Sequence, residues 1–332
     1  MEGQIYKIHS DFYYVQKDNK SYECKIREVL KKQKIKLVTG DFVEFEDGAI
    51  SKVLPRKTFI PRPAVSNIDQ IVVVTALKHP DLDFHQLNRY ISLAKYYKIP
   101  IVLCFNKEDL GLEQEAQDKI VSIYENLGYK LVFTSATEKN GIDEFHKLLY
   151  GKLSALCGNS GVGKSSLINV LNPNVHLRTK EVSEKLNRGT HTTRHCEIIK
   201  IEENTSIVDT PGFSNVRFDF LLPGEVGLLF DEIAQYSPYC KYRDCLHINE
   251  DCCEVLKHIE EIDETRYQSY TEFVSEALEY KEHIKYNGKK KESSNKFKNN
   301  KNQAKISDKK RQSSRNTQKQ KIYKEIDENG NE

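Results

Sequence analysis

The chain has 332 residues, 30% of them charged, and a formal net charge of only +2. That length holds two or three domains with a sizeable core. No apolar run approaches about 18 residues and the opening MEGQIYKIHSDFYY lacks a signal-peptide pattern, so neither a membrane span nor export is expected.

Residues 1–57 contain short alternating segments, GQIYKI, FYYVQ, YECKIR, DFVEF and AISKVL, separated by turn formers such as KDNK and EDG. This pattern predicts a small five-strand β-barrel. LPRKTFIPRP reads as a linker. From Asn67 the pattern changes. IDQIVVVTAL is a near-continuous apolar run, as expected of a parallel strand covered on both faces. FHQLNRYISLAKYY follows with apolar residues at helical spacing. Strand IPIVLCF, helix EAQDKIVSIYENLG, strand KLVFTSA, helix GIDEFHKLL, strand KLSALCG and helix KSSLINVL then alternate. The alternation predicts an α/β domain over residues 66–218 with a largely parallel sheet. CEIIKIEENTSIVDT reads as two strands joined at Glu202–Asn204. Residues 219–285 read as helical.

Several of these strand ends carry chemistry. Asn106-Lys107-x-Asp109, where IPIVLCF gives out, has the form of a guanine-reading motif. The Asp109 carboxylate can accept from both N1–H and the exocyclic amine of guanine, a pair that adenine does not offer. Ser135-Ala136, at the end of KLVFTSA, is the pattern that sets a backbone N–H against the guanine O6. Gly158-Asn159-Ser160-Gly161-Val162-Gly163-Lys164-Ser165, followed by Ser166, is a phosphate loop between a strand and a helix. Its glycines allow a tight turn, its N–H groups and helix N-terminus favour phosphate, Lys164 reaches the β- and γ-phosphates and Ser165 ligates Mg²⁺. Downstream, DTPGF supplies Asp209 and Gly212 in a D-x-x-G pattern for Mg²⁺ and the γ-phosphate. The intervening RGTHTTRH offers Thr193, in preference to Thr192, as a switch threonine. The order along the chain is base reader, Ser-Ala loop, phosphate loop, threonine loop, D-x-x-G. It equals the ordinary GTPase order after circular permutation, which domain termini close together at the surface make tolerable.

Eight cysteines are present, four of them between Cys240 and Cys253. With no export signal, a reducing, cytoplasmic compartment is expected, and the cluster reads as a metal site before disulfides. Cys240, Cys245, His247 and either Cys252 or Cys253 make a closed tetrahedral set suited to structural Zn²⁺. The tail is basic. Residues 285–332 hold 15 Lys and Arg against 6 Asp and Glu, a net of +9, which leaves the first 284 residues at −7. Segment 286–332 is polar and without periodicity and reads as disordered. It would serve either as a solubilising tail or as an arm for polyanions.

A permuted GTPase domain between a β-barrel and a Cys/His domain closely resembles the small ribosomal subunit biogenesis GTPase family (RsgA/YjeQ type), over roughly residues 1–285. NIDQIVVV, NKEDL, TSA, GNSGVGKSSLIN, HTTRH, DTPGF and CKYRDCLHINEDCC carry the likeness. The resemblance implies an OB-type barrel and GTP hydrolysis stimulated by the small ribosomal subunit; the expected partners are that subunit, its rRNA and GTP or GDP, with the chain a monomer. It implies service late in maturation of that subunit, with hydrolysis driving release. It makes Cys253 the fourth zinc ligand. It also implies no water-orienting Gln after D-x-x-G, where this chain has Phe213, and assigns that work to the position of His191. An RNA-binding clamp that only senses nucleotide, and an ATP-using kinase, are the alternatives from other classes.

Overall fold

In the computed structural model the described residues are 1–32, 35–111, 114–175, 177, 196–209, 218, 220–287, 295–298 and 301–304. Strands β1 (Glu2–His9), β2 (Phe12–Lys17), β3 (Lys20–Ile26), β4 (Phe42–Glu46) and β5 (Ala49–Val53) run in the order β1-β2-β3-β5-β4, and β4 pairs back onto β1. The result is the closed five-strand barrel that the alternation predicts. Inward residues Ile5, Val15, Cys24, Val43, Phe45 and Ile50 fill it. Closure removes the free edges that five short strands would otherwise expose. A short helix, α1 (Glu28–Lys32), follows β3 and contributes Leu30 to the barrel core.

The stretch expected to be a plain linker folds as a hairpin of β6 (Phe59–Pro61) and β7 (Ala64–Ser66). Its anchor is Asp41. That carboxylate is fully buried and accepts from Arg56 Nε and Nη2 (2.6 and 2.8 Å), from the Val38 N–H (2.9 Å) and from Ser66 Oγ (2.7 Å). Partners so far apart in sequence leave no local pattern to read.

Next come β8 (Gln70–Ala76), α2 (Phe84–Tyr96), β9 (Ile101–Asn106), α3 (Gln114–Glu125), β10 (Lys130–Thr134), α4 (Ile142–Leu149), β11 (Leu153–Cys157), α5 (Lys164–Leu171), β12 (Glu197–Glu202) and β13 (Thr205–Asp209). The strand order is β10-β9-β8-β11-β13-β12, parallel except for β12. Alternate residues of β8 explain its unbroken apolar run. Ile71 and Val73 pack with Leu87, Tyr90, Ile91 and Tyr124 on one face. Val72 and Val74 pack with Phe145, Leu149, Leu167 and Ile168 on the other. Burial on both faces requires apolar residues at both parities. Parallel register brings Asn106 level with Ala76 and Thr134, and Leu156 level with Asp209, so the strands end together at one edge. The barrel joins this sheet through a single residue pair, Lys7↔Glu197.

The C-terminal region is a series of short helical turns between Pro223 and Glu261, then a long helix, Glu264–Asn287. Its core is Phe218, Leu221, Val226, Phe230, Ile233, Val255, Tyr270 and Phe273. The long helix docks on α2 through polar groups. Asn88 Nδ2 donates to Ser269 Oγ (2.9 Å), and Arg89 makes a two-pronged contact to Glu276 (2.8 and 2.6 Å). Arg266, 1% exposed, bonds Glu232 through Nε (2.7 Å) and Nη2 (3.1 Å) and donates to Asn88 Oδ1 (3.0 Å). Residues from His283 on form a second compact unit. Where no regular structure is expected in segment 286–332, Asn295–Lys298 and Lys301–Ala304 pair as an antiparallel hairpin, and the long helix runs on to Asn287. Two isolated four-residue strands are marginal in water, which is why composition gives no warning of them. Among the described residues, no helix is long and apolar enough to cross a membrane.

Replacing Glu232 by Ala strands the Arg266 charge in the interior. Losing one partner of a buried pair costs about 3–5 kcal/mol. Urea unfolding of the full chain should register that loss. The exposed pair Lys52–Glu44 (2.6 Å) serves as control, because Lys52→Ala should leave the midpoint unmoved. A Glu232→Ala midpoint equal to the control's would refute the argument.

Candidate nucleotide site and metal centre

All four described motif segments leave the sheet at the same carboxyl edge, where open α/β sheets bind ligands. Asn106 is the last residue of β9, Ser135 follows β10, Gly158 follows β11 and Asp209 ends β13. Asn106 links three of these segments. Its buried Nδ2 donates to the Val162 carbonyl (2.8 Å) inside the phosphate loop, and its Oδ1 accepts from Thr134 Oγ1 (3.1 Å). With the Asn106 amide thus engaged, Asp109 is the residue of that motif left for a base. Asp109 is exposed, in a single helical turn over Glu108–Leu110. Lys107 adopts a left-handed conformation and donates to the His79 carbonyl. The Ser135 hydroxyl accepts from the Glu138 N–H (3.0 Å), and the Ser135 N–H donates to the Asn140 carbonyl (3.0 Å). Ala136 follows, half-buried.

The phosphate loop needs glycine for reasons of space as well as dihedral. At Gly158 (φ +141°) a Cβ would lie 2.0 Å from the Val74 carbonyl oxygen. At Gly163 (φ +100°) it would lie 2.1 Å from Asn106 Nδ2. Asn159 accepts from the Tyr90 hydroxyl (3.2 Å). Ser160 and Gly161 are exposed, Val162 is buried, and Ser165 and Ser166 sit half-buried in the first turn of α5. Lys164 Nζ donates to the carbonyls of Gly158 (2.8 Å) and Asn159 (2.9 Å).

Burial lowers the Lys164 pKa, partly offset by Cys157 and then Asp209. Burial likewise raises the Asp209 carboxyl, opposed by Lys164 and reinforced by Glu197, its neighbour across the ladder. Each charge is therefore short of counter-charge, and a phosphate beside Lys164 and a dication beside Asp209 would supply it. His191, Thr192, Thr193, Gly212 and Phe213 lie outside the described residues.

At the second site, ligand atoms of Cys240, Cys245, His247 and Cys253 all lie within 4.8 Å of one another. His247 Nδ1 is 3.5 Å from Cys240 Sγ and 3.4 Å from Cys253 Sγ, and the two sulfurs are 3.8 Å apart. Three thiols and one imidazole at these separations fit a tetrahedral metal ion with no open position. Cys252 is exposed and lies outside the group. Burial pushes the Cys245 thiol up to about 12 and His247 below its usual range. A central dication would reverse the thiol shift.

Sequence reasoning missed the groups that hold the ligands in place. Glu250 accepts from the N–H groups of Leu246 (2.6 Å), Ile248 (2.9 Å) and Asn249 (3.1 Å), which fixes the loop that carries His247. Tyr270 and Tyr267 of the long helix donate to the carbonyls of Leu246 (2.6 Å) and His247 (2.9 Å). A carboxylate inside a metal knuckle, at the third position after its histidine, was the available clue.

Comparison with known proteins agrees with this layout. A sequence model of the RsgA GTPase matches residues 53–219, and one of the RsgA N-terminal domain matches residues 2–51. A third, described as a 50S ribosome-binding GTPase, matches residues 154–290. The small ribosomal subunit biogenesis GTPase RsgA of Agathobacter rectalis is 41% identical over 290 residues, spanning 81% of this chain and 96% of the relative. The protein of the same name from Alkaliphilus metalliredigens is 39% identical over 284 residues, spanning 83% and 97%. Among solved structures, YjeQ from Thermotoga maritima superposes with a TM-score of 0.72 at 32% identity, over 83% of this chain and 98% of that one. YloQ, described as a circularly permuted GTPase, gives 0.69 at 30% identity, over 84% and 95%.

Two outcomes test the geometry. Gly163→Ala should abolish binding of a fluorescent guanine nucleotide, and retained affinity would mean that Asn106 can yield. Purified protein should carry one metal ion per chain by elemental analysis, lost in Cys253→Ser and kept in Cys252→Ser. The reverse pattern would overturn the ligand assignment.

Proposed function

The chain belongs to the RsgA GTPase family, and from that premise we propose that it hydrolyses GTP as a late-acting assembly factor of the small ribosomal subunit. The carrying observation is the carboxyl edge itself. A base-reading segment and a phosphate loop lie side by side there, tied by the Asn106–Val162 bond, in permuted order. In this proposal Asp109 reads the guanine base from beside Asn106 and Lys107, and the Ala136 N–H next to Ser135 meets O6. Gly158, Asn159, Ser160, Gly161, Val162, Gly163, Lys164, Ser165 and Ser166 hold the phosphates. Ser165 and Asp209 hold Mg²⁺, joined by Thr193 and Gly212 when the γ-phosphate is present. His191 orients the attacking water in place of the usual Gln. The ion at Cys240, Cys245, His247 and Cys253 is Zn²⁺ and structural.

The partners are the small ribosomal subunit, its rRNA, and GTP or GDP. GTP favours the bound state, the subunit stimulates hydrolysis, and hydrolysis drives release. The protein acts as a monomer in the cytoplasm, and the basic tail 286–332 adds salt-dependent contact with rRNA. A second reading, action on the large subunit, draws on the match of residues 154–290 to a 50S-binding family. That match omits the barrel and the base reader, whereas relatives matched over most of the chain carry the small-subunit name.

GTP turnover should rise at least tenfold with purified small subunits and not with large ones, and tail deletion after Lys285 should weaken the response at high salt. Stimulation by large subunits alone would favour the second reading. Lys164→Ala should remove nucleotide binding. Asp109→Asn should relax base choice, and unchanged guanine preference in that variant would refute the role of Asp109.

A further inference from the structure

Asp209, the last residue of β13, stands directly opposite Glu197, the first residue of β12. Residues opposite each other in an antiparallel pair lie on one face of the sheet, with Cβ atoms about 5 Å apart, and like charges so placed repel. The Asp209 carboxyl registers that repulsion. Burial raises it most, Lys164 opposes the rise and Glu197 adds to it. Glu197 also meets the barrel. Lys7 of β1 donates to its Oε1 (3.0 Å), and the same two residues form the rung between barrel and sheet. The pairing of β1 with β2 shifts register between Ile5 and Lys7, the kind of bulge by which a strand re-aims a side chain. The Thr39 hydroxyl donates to the carbonyl of Cys196, the residue before Glu197 (2.9 Å). The barrel therefore grips β12 at the end that faces Asp209.

The side chains of Lys7 and Glu197 are 41% and 38% exposed, so their pair adds little to stability. Its effect is on the charge beside Asp209. With Lys7 in place the pair is neutral, and without it a second, uncompensated carboxylate stands across the ladder from Asp209. We propose that Glu197 is an auxiliary anionic group of the Mg²⁺ site and that Lys7, from the barrel, sets how much of its charge the cation feels. Glu197 strengthens the hold on the cation and Lys7 weakens it. This inference rests on the GTPase function proposed above, in which Asp209 serves Mg²⁺. Neither Lys7 nor Glu197 is assigned as a ligand, and both act through the field at Asp209. A phosphodiester backbone that draws the Lys7 ammonium off Glu197 acts in the same sense as loss of Lys7. A polyanion on the barrel thus tightens the cation at the nucleotide edge.

The test needs no turnover. The full chain is loaded with a fluorescent GDP analogue in EDTA, and release of the analogue is timed as MgCl₂ is added. The readout is the free Mg²⁺ concentration that halves the release rate. For single charges interacting across a partly solvated gap, Glu197→Gln should raise that concentration about threefold and Lys7→Ala should lower it about twofold. The double variant should behave as Glu197→Gln alone, because Lys7 acts only through Glu197. Lys7→Met, which keeps an apolar stem, should repeat the Lys7→Ala result and separates charge from packing. All three shifts should shrink in about 1 M KCl, where charges are screened within about 3 Å. A rung that only seats the barrel would move both single variants in one direction, since each breaks the same contact. A shift of common sign, or none, would overturn the proposal. If release from the unaltered chain ignores Mg²⁺, the cation reading fails and this inference falls with it. If the unaltered chain responds and the variants do not split, this inference alone falls.

Discussion

A single amide sets the geometry of the nucleotide edge. Asn106 donates to the phosphate loop at Val162, accepts from Thr134 on the adjacent strand, and packs where a side chain at Gly163 would have to be. Its burial gives these bonds value, since an unpaired amide there would lose water without recompense. The parallel register brings the strand ends level, but register alone leaves loops free to diverge. The Asn106 bonds lock the loop after β11 to the strand ends of β9 and β10, and so bring the Asn106–Asp109 segment beside the glycine-rich loop.

The permuted order gives this edge its neighbours. The barrel attaches at β12, beside Asp209, and the C-terminal region at α2, whose Tyr90 bonds Asn159. The barrel meets the sheet at β12, through the Lys7–Glu197 ion pair (3.0 Å) and a Thr39 hydroxyl donating to the Cys196 carbonyl (2.9 Å). The C-terminal region attaches to α2 and to Phe218. The Cys/His cluster lies in turn against the long helix, whose Tyr267 and Tyr270 hold the His247 loop. A set of hydrogen bonds therefore links the His247 loop to the long helix, that helix to α2, and α2 to Asn159.

Much of this was legible in the sequence, for a physical reason. The barrel shows as period-two alternation. The sheet shows as apolar runs at both parities, and the phosphate loop as glycines, two of which, Gly158 and Gly163, have no room for a Cβ. The cysteine spacing marks three thiols and a histidine that do converge, and the structure separates Cys253 from Cys252, which spacing alone leaves open. Illegible were the contacts made by ordinary polar residues over long separations. Asp41 with Arg56 and Ser66, Asn88 with Arg266, and Arg89 with Glu276 each join residues whose local pattern is that of a loop or a helix face. Nothing in a helix period tells a solvated arginine from a buried one.

The lone Lys7↔Glu197 rung between barrel and sheet has a mechanical meaning. A ladder of several rungs would make the two halves one plate of backbone bonds; with one rung, the seat of the barrel rests on side chains and on the β6–β7 hairpin, whose Ile60 and Val65 belong to the α/β core. That seat is held by Thr39 on Cys196 (2.9 Å), Lys200 on Asn19 (2.6 Å), Ser66 on Asp41 (2.7 Å) and Asn67 on Gly40 (2.9 Å). Substitutions at those positions would act on the seat of the barrel and not on the core of either half.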